Sequence, residues 1–529
     1  MLFRSIPLFM RLALAMAFLV AAAPLGVAAP AGASAAAVSA ASPLPLGQAI
    51  DRALLHNLGL TITRLDALRS LDSVDVAEAA FDPRLSLTNQ LGGARSPTDL
   101  AAAVPAARHY DADLSVSQRF TWGGTLSAGA GLTRSWGDSG ALGTPSLFDV
   151  TSNIAYTQPL LAGGWRAVNL TSLISARQSA YRSRLSLRAS ALDLIRDTEI
   201  AYWNLAGART LVALRETSLR SAESLLAQIK ARRALGDATV LDELQAEADV
   251  SGQRVGVLGA RQALDDAEMG LRRLLGQGDA TDVDQALVVA EMPTAAVPAP
   301  QPFPSWIRTV ADFDFGAAIQ LSSLAQADAV VAQAEQNDHP SLDLSVGASR
   351  YGAPTAGLTG GFDSYRRQAG WSNYAQLSLT IPLGFREAEA NLRSAARARR
   401  QAELRLADVR QSLVFSARAS WRELEAVRAR VDAATSALEL QRKSYEGERA
   451  RYDAGQSDVL RVLQAQAALD SAQLGWVQAH LDARAASAKV ARLDGSLLPR
   501  HGFTMDAVEQ KVGAGLGAED PLPPLSATP

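Results

Sequence analysis

The side chains best suited to metal binding or acid–base chemistry are scattered along this chain. His56, His109, His339, His480 and His501 show no ligand spacing such as H-x-x-x-H. The 529 residues include no cysteine, which excludes disulfides, thiolate metal sites, a cysteine nucleophile and an N-terminal lipid anchor on cysteine. Neither G-x-x-x-x-G-K-S/T nor G-x-S-x-G occurs, and Gly129-Ala130-Gly131 sits inside an alternating strand, where it reads as sheet packing rather than a nucleotide loop. No enzyme activity and no cofactor are expected. The 51 Lys+Arg and 54 Asp+Glu residues are interspersed and sum to −3, so no field points to nucleic acid. What remains is a set of polar residues after two glycine-marked turns. Asp242 and Glu243 follow Gly236; Arg461 and Gln464 follow Gly455.

The elements that position those turns are duplicated. Residues 231–248 (ARRALGDATVLDELQAEA) and 450–467 (ARYDAGQSDVLRVLQAQA) share nine of eighteen positions at a constant offset of 219. Upstream, Leu205, Val212, Leu219 and Leu226 recur every seven residues, as do Leu424, Val431, Leu438 and Tyr445. Two long helical hairpins are predicted, with turns at Gly236 and Gly455. Such a repeat decides architecture before any local pattern does. The first repeat spans 44–290, a Pro/Ala-rich linker 291–312, the second repeat 313–495, and a disordered tail 496–529.

Arg4 and Arg11 precede an apolar run, Leu12 to Val20, and mostly small residues follow through Ala41. This is a secretory signal peptide with an A-x-A cut after Ala33, so residues 1–33 leave the mature chain. The alternative, an uncleaved anchor, has too short an apolar run, since a span takes about 20 residues. No later transmembrane helix is expected.

Between the helices the period changes to two. Leu85 and Leu87, Leu114 and Val116, Leu126 to Leu132, and Ile154 and Tyr156 alternate with polar or small residues in the first half. Leu342 to Ala348 and Ala375 to Ile381 do so in the second. Each segment makes a strand with one apolar and one polar face. A soluble sandwich would show the same pattern. Three features favour lipid: flanking aromatics suited to interface girdles (Trp122, Trp136, Trp165, Trp371 and Tyr374 among them), long Gly/Ser-rich loops, and the export signal. Strands cross lipid only in a closed sheet, and one chain has too few to close a pore. Copies related by a rotation axis must complete it. Helix 165–235 would run about 100 Å at 1.5 Å per residue, too long to bury itself in a globule.

The opening LGQAIDRALLHN, the strand-to-helix segments QPLLAGGWRAVNL (158–170) and IPLGFREAEANL (381–392), and the two turns resemble the TolC-type outer-membrane channel family over about residues 44–495. The resemblance implies an α+β membrane protein: a homotrimer with a transmembrane β-barrel continued by a long periplasmic α-helical barrel. It implies a passive duct for tripartite efflux or type I secretion, docked on a periplasmic adaptor and an inner-membrane RND, ABC or MFS transporter. The family contributes four strands per chain. Six are counted here, so the hairpin around Trp122-Gly123-Gly124 is either an accessory element or part of a larger barrel. A periplasmic adaptor is the competing reading, but it would need one hairpin and an inner-membrane anchor.

In the resembling channels acidic residues after the turn glycine narrow the periplasmic mouth. Asp242 matches that place, with Glu243 next to it, whereas Arg461 and Gln464 hold the aspartate positions of the second copy. A mixed-charge gate is expected from these four residues, since rings of charge set ion preference in pores. Gly236, Leu241, Gly455, Val459 and Leu460 are expected to form the adaptor-docking tips.

Overall fold

The computed structural model describes residues 44–94, 107–137, 146–278, 287–290 and 297–514. The signal peptide 1–33 lies outside them. The protein is mostly helical, with one antiparallel sheet.

Helices α1 (Leu46–His56) and α2 (Leu58–Glu78) are separate. Asn57 divides them: its backbone is extended and its side-chain oxygen accepts from Leu60 N at 3.0 Å. That oxygen satisfies a donor that a helix start leaves open. A single 3₁₀ turn, Ala79–Phe81, then leads to Pro83 and the sheet.

Strands β1 (Arg84–Ala94), β2 (Ala107–Arg119), β3 (Thr125–Gly137) and β4 (Leu147–Pro159) form an antiparallel meander. After β4 come two long helices, α3 (Arg166–Ala234) and α4 (Val240–Leu274). Helices α5 (Phe303–Asp312) and α6 (Phe315–Asn337) precede β5 (Ser341–Tyr351). A two-residue strand β6 (Thr355–Ala356), helix α7 (Leu358–Arg367) and β7 (Gly370–Thr380) follow. The second long pair is α8 (Arg386–Asp453) and α9 (Val459–Leu493). The long helices measure 69 and 68 residues, their return helices 35 each. At 1.5 Å per residue the longer ones run about 100 Å.

Three expectations are corrected. The linker 291–312 contains α5, whose Trp306 and Val310 are buried against α8 and α9 together with Leu424, Val427 and Val490. Trp306 Nε1 donates to Asp494 at 2.8 Å. Pro302 is the helix N-cap and Pro304 lies in the first turn, where a missing N–H donor costs nothing. The Gly-rich loop between the last two strands holds α7. The tail is folded through Ala514: Leu497, Leu498 and Val508 are buried in α10 (Leu497–Arg500) and α11 (Met505–Ala514), and Lys511 pairs with Asp51 of α1. Gly and Pro at 495–502 punctuate this segment without preventing its burial.

The main core gathers α1, α3, α4, α9 and the C-terminal helices around Ile50, Leu192, Ile195, Leu205, Leu271 and Leu497. Helix α6 is long and apolar enough to cross a membrane by length and composition. It lies instead along α3 and α8, with Ser322 bonded to Gln178 and Asp328 paired with Arg399.

Tyr202 sits in the core with its hydroxyl bridging two chain segments, donating to Leu44 O at 2.8 Å and accepting from Ala290 N at 2.9 Å. Tyr202→Phe leaves both partners unsatisfied, so stability should fall by about 1–3 kcal/mol. Urea unfolding of the detergent-extracted protein checks this; an unchanged midpoint would mean water replaces the hydroxyl without cost.

Candidate functional site

Both turns are built the same way. At the first, Gly236 has φ 86°, Gly236 N donates to Arg233 O at 3.0 Å, and Asp237 N donates to Arg232 O at 2.9 Å. At the second, Gly455 has φ 74°, Gly455 N donates to Tyr452 O at 3.0 Å, and Gln456 N donates to Arg451 O at 2.8 Å. These paired bonds close a helix on a left-handed residue, which glycine adopts without Cβ strain.

The return helices are capped by different chemistry, and this explains the charge exchange seen in sequence. In α4, Thr239 Oγ1 accepts from Asp242 N at 3.1 Å while Asp242 Oδ2 accepts from Thr239 N at 2.9 Å. That reciprocal box satisfies two open donors, and its carboxylate sits at the positive end of the helix dipole. In α9 the cap is Asp458, which accepts from Arg461 N at 2.9 Å, and the Arg461 guanidinium lies 3.6 Å from the same carboxylate. The acid at the second turn has moved three residues upstream rather than vanished. Asp242 is therefore held by its cap, and Arg461 is paired with Asp458 of its own turn. Glu243 pairs with Arg233 and lies 3.8 Å from Lys230. Gln464 is exposed.

The two turns pack on each other. Leu225, Ile229, Ala246, Tyr452, Val459 and Val462 form a small core there. The Arg232 guanidinium stacks 4.5 Å over the Tyr452 ring and donates to Tyr452 O at 3.2 Å. Burial pushes the Tyr452 phenol up. Val459, expected on the docking tip, belongs to this core at 3% exposure. Leu241 and Leu460 are exposed, as are Leu235 and Val240, which the repeat alone did not single out.

Farther along the hairpins a buried polar cluster joins them, and no motif announced it. Asp470 accepts from Ser218 Oγ at 2.6 Å, Gln253 Nε2 at 2.8 Å and Gln466 Nε2 at 3.0 Å. Neither Gln466 nor Asp470 has a like residue at the 219 offset, where Glu247 and Ser251 stand. The Gln-Asp pair four residues apart on an Ala/Leu-rich helix was the available signal. Asp249 faces this cluster. Burial raises its carboxyl; the Gln253 hydrogen bond opposes that, and the Asp470 charge adds to it.

The sheet has two unlike faces. Its register aligns Leu85, Val116, Ala128, Ile154 and Ala348 across β1 to β5, and the adjacent row carries Leu87, Leu114, Ala130 and, on β7, Trp371. The opposite face carries Ser86, Ser115, Gly129, Asn153, Ser349 and Ser372, then Thr88, Asp113, Gly131 and Thr151. Large side chains there lie over glycines: His109 over Gly92, Asp113 over Gly131, Tyr374 over Gly347. Small partners beneath large ones suit the crowded inner side of a curved sheet. All connections to α2, α3, α6 and α8 leave from one end of the sheet.

The aromatics divide accordingly. Tyr156 and Trp122 meet at the helix end, where Trp122 Nε1 donates to Tyr156 Oη at 3.0 Å and Trp122 stacks on Phe120. Trp165 is the N-cap residue of α3 and is exposed. Tyr110, Trp136, Phe148 and Trp371 stand toward the loop end on the apolar face, with Arg134 4.8 Å over Trp136. Phe148 and Tyr156 are eight residues apart, about 26 Å along the strand. Tyr374 is three residues from Trp371 and so occupies the polar face, away from the girdle the sequence assigned it to.

No group of three or more His, Asp or Glu that could hold a metal ion occurs among the described residues. The family model described as outer membrane efflux protein matches residues 125–277 and 311–496. The chain belongs to the outer membrane efflux protein family. Its fold is that of solved outer-membrane channels. The Campylobacter jejuni CmeC outer membrane channel is 15% identical, with a TM-score of 0.67 over 89% of this chain and 90% of that one. A membrane protein from Pseudomonas aeruginosa is 20% identical, with a TM-score of 0.65 over 85% and 90%. The open-state MtrE outer membrane channel of Neisseria gonorrhoeae is 17% identical, with a TM-score of 0.62 over 85% and 88%. No curated protein matches. The family match begins at Thr125, the first residue of β3, so β1 and β2 lie outside it.

The Asp249 environment gives a signed expectation for this efflux-family chain. A carboxyl raised in the folded state costs stability once pH exceeds the unfolded value, and nothing where both states are protonated. Asp249→Asn should therefore raise the melting temperature at pH 7, with the gain fading as pH falls toward the ordinary carboxylate value of 3.8. A lower melting temperature at pH 7 would show that the carboxylate is needed by its neighbours.

Proposed function

We propose that this chain is one subunit of a homotrimeric outer-membrane duct, a passive exit for tripartite efflux or type I secretion. The observation that carries the reading is a sheet with an exposed apolar face, unpaired at both edges, that continues directly into two hairpins about 100 Å long. Outer-membrane lipid covers the apolar face, and the helices extend into the periplasm after signal-peptide removal.

The helices support the trimer independently. Leu244, Val255, Leu258 and Met269 of α4 are all more than half exposed, and so are Leu404, Phe415 and Leu440 of α8. Spacings of 11, 14, 25 and 36 residues put each set on one side of its helix, the near-straight geometry of an 11-residue repeat. Exposed apolar stripes of this length call for neighbouring helices, and the next copies in a ring supply them. The two hairpins are read as copies of one ancestral unit.

The turns at the far end dock a periplasmic adaptor, which links the duct to an inner-membrane transporter of the RND, ABC or MFS class. Leu235, Val240, Leu241 and Leu460 give that end an apolar surface, and Gly236 and Gly455 fix its shape. A Cβ at either glycine meets no atom within 4 Å, so valine there strains the turn without clashing. The gate is formed at the same end by Asp242, Glu243, Arg461 and Gln464, with Asp458 now added.

The mature chain should fractionate with the outer membrane and cross-link to trimers there, and Gly236→Val with Gly455→Val should stop export while leaving both intact. Recovery in the soluble periplasm, or unchanged export in the double variant, would contradict the duct or the docking turn respectively. In planar bilayers Arg461→Ser should increase cation preference, because it frees the Asp458 carboxylate; no change in conductance or ion preference would place Arg461 away from the constriction.

A further inference from the structure

The strand count opens a question that family membership leaves unanswered, because β1 and β2 precede the residues the family model matches. Either this hairpin lies outside the barrel, or it is part of the wall. Three observations bear on it. The apolar and polar rows run through β1 and β2 without a break in register. The free edges of the sheet are β1 and β7, both exposed and both eleven residues long. And the six long strands alternate in direction, so β7 of one copy meets β1 of the next antiparallel.

The stagger of the sheet gives the closure. The row starting at Arg84, the first residue of β1, passes through Ser117, Ser127, Ala155 and Gly347 to Tyr374, six residues short of Thr380 at the end of β7. The row starting at Gly370 passes back through Tyr351, Thr151, Gly131 and Asp113 to Thr88, again six residues short of Ala94. Both ends of the strands are thus offset by the same amount. If copies join with strand ends flush, Arg84 pairs with Thr380 and Ala94 with Gly370, and every residue of both edges has a partner. That register keeps the faces: Leu85 meets Leu379, Leu87 meets Leu377, and Ser86 meets Ser378.

We infer that β1 of each copy pairs with β7 of the next in this flush register, so that three copies close a barrel of 18 strands with β1 and β2 in its wall. The inference rests on the trimeric reading above. Three copies of a six-residue stagger give a shear of about 18, equal to the strand number, and hence a tilt of about 35°, within the range closed barrels adopt. The backbone radius is then about 17 Å, against about 11 Å for a wall of four strands per chain. The lumen lined by the polar face would have more than about twice the cross-section.

The chain has no cysteine, so introduced pairs report without background. Ser86→Cys with Ser378→Cys, and Leu87→Cys with Leu377→Cys, sample adjacent positions of the proposed ladder. One of the two falls in the closer, non-hydrogen-bonded geometry that admits a disulfide. Oxidation of outer membranes should convert at least one pair to a reducible covalent trimer, with single-cysteine variants remaining monomeric on denaturing gels. Ser127→Cys with Ser378→Cys tests the alternative, in which β7 meets β3 and the hairpin lies outside. Linkage of that pair overturns the inference. So does the absence of linkage in the first two pairs while formaldehyde still yields trimers. Only monomers with formaldehyde would sink the trimeric reading, and this inference with it.

Discussion

In the proposed membrane duct, an unpaired strand edge in hydrocarbon is the constraint on which the rest of the structure depends. Each backbone N–H or C=O left without a partner in lipid costs several kcal/mol. The sheet has two such edges, along β1 and β7. Among the described residues no strand pairs with either edge. The proposed closure by copies of the same chain would remove both edges with one repeated contact, and an even strand count lets that contact be antiparallel. In the proposed barrel the two faces follow from curvature: the apolar side would meet lipid, and the glycine-bearing polar side would have room only for small residues under large ones.

The same logic extends along the helices in water rather than lipid. A helix of about 100 Å has too little neighbouring protein to bury its apolar side within one chain. Here the buried clusters are local: one near the sheet-proximal helices and the C-terminal segment, one under α5, and one at the turns. Between them the polar cluster around Asp470 ties the hairpins together where apolar burial is sparse. In the proposed trimer the remaining exposed leucines and valines are the sides that adjoining copies would cover. Local cores hold the chain in shape, and on the proposed reading a ring of copies supplies what they lack.

Much of this was legible in the sequence because it depends on period. The offset of 219 located both turns, and the change from helical to alternating spacing located the six long strands. Parity was legible too, yet Trp371 and Tyr374 were grouped together although an odd separation puts them on opposite faces. Tertiary burial was less visible. Leu497, Leu498 and Val508 fold the tail against α1 although glycine and proline around them suggest loop. Trp306 turns part of a Pro/Ala-rich linker into a packed helix. Val240 and Val459 occupy equivalent places, one exposed and one buried, because only the second turn faces Tyr452 and Ile229. The exchange of Asp242 for Arg461 suggested a lost acid, and only the cap geometry shows that Asp458 replaces it.

The measurement closest to the central claim is an electron cryomicroscopy reconstruction of the channel extracted from outer membranes. The account predicts a three-fold particle whose membrane section is one closed wall of 18 strands, with β1 seated against β7 of the next copy and the helices continuing from one rim. A closed wall of 12 strands with β1 and β2 outside it, or a particle without three-fold symmetry, would contradict it.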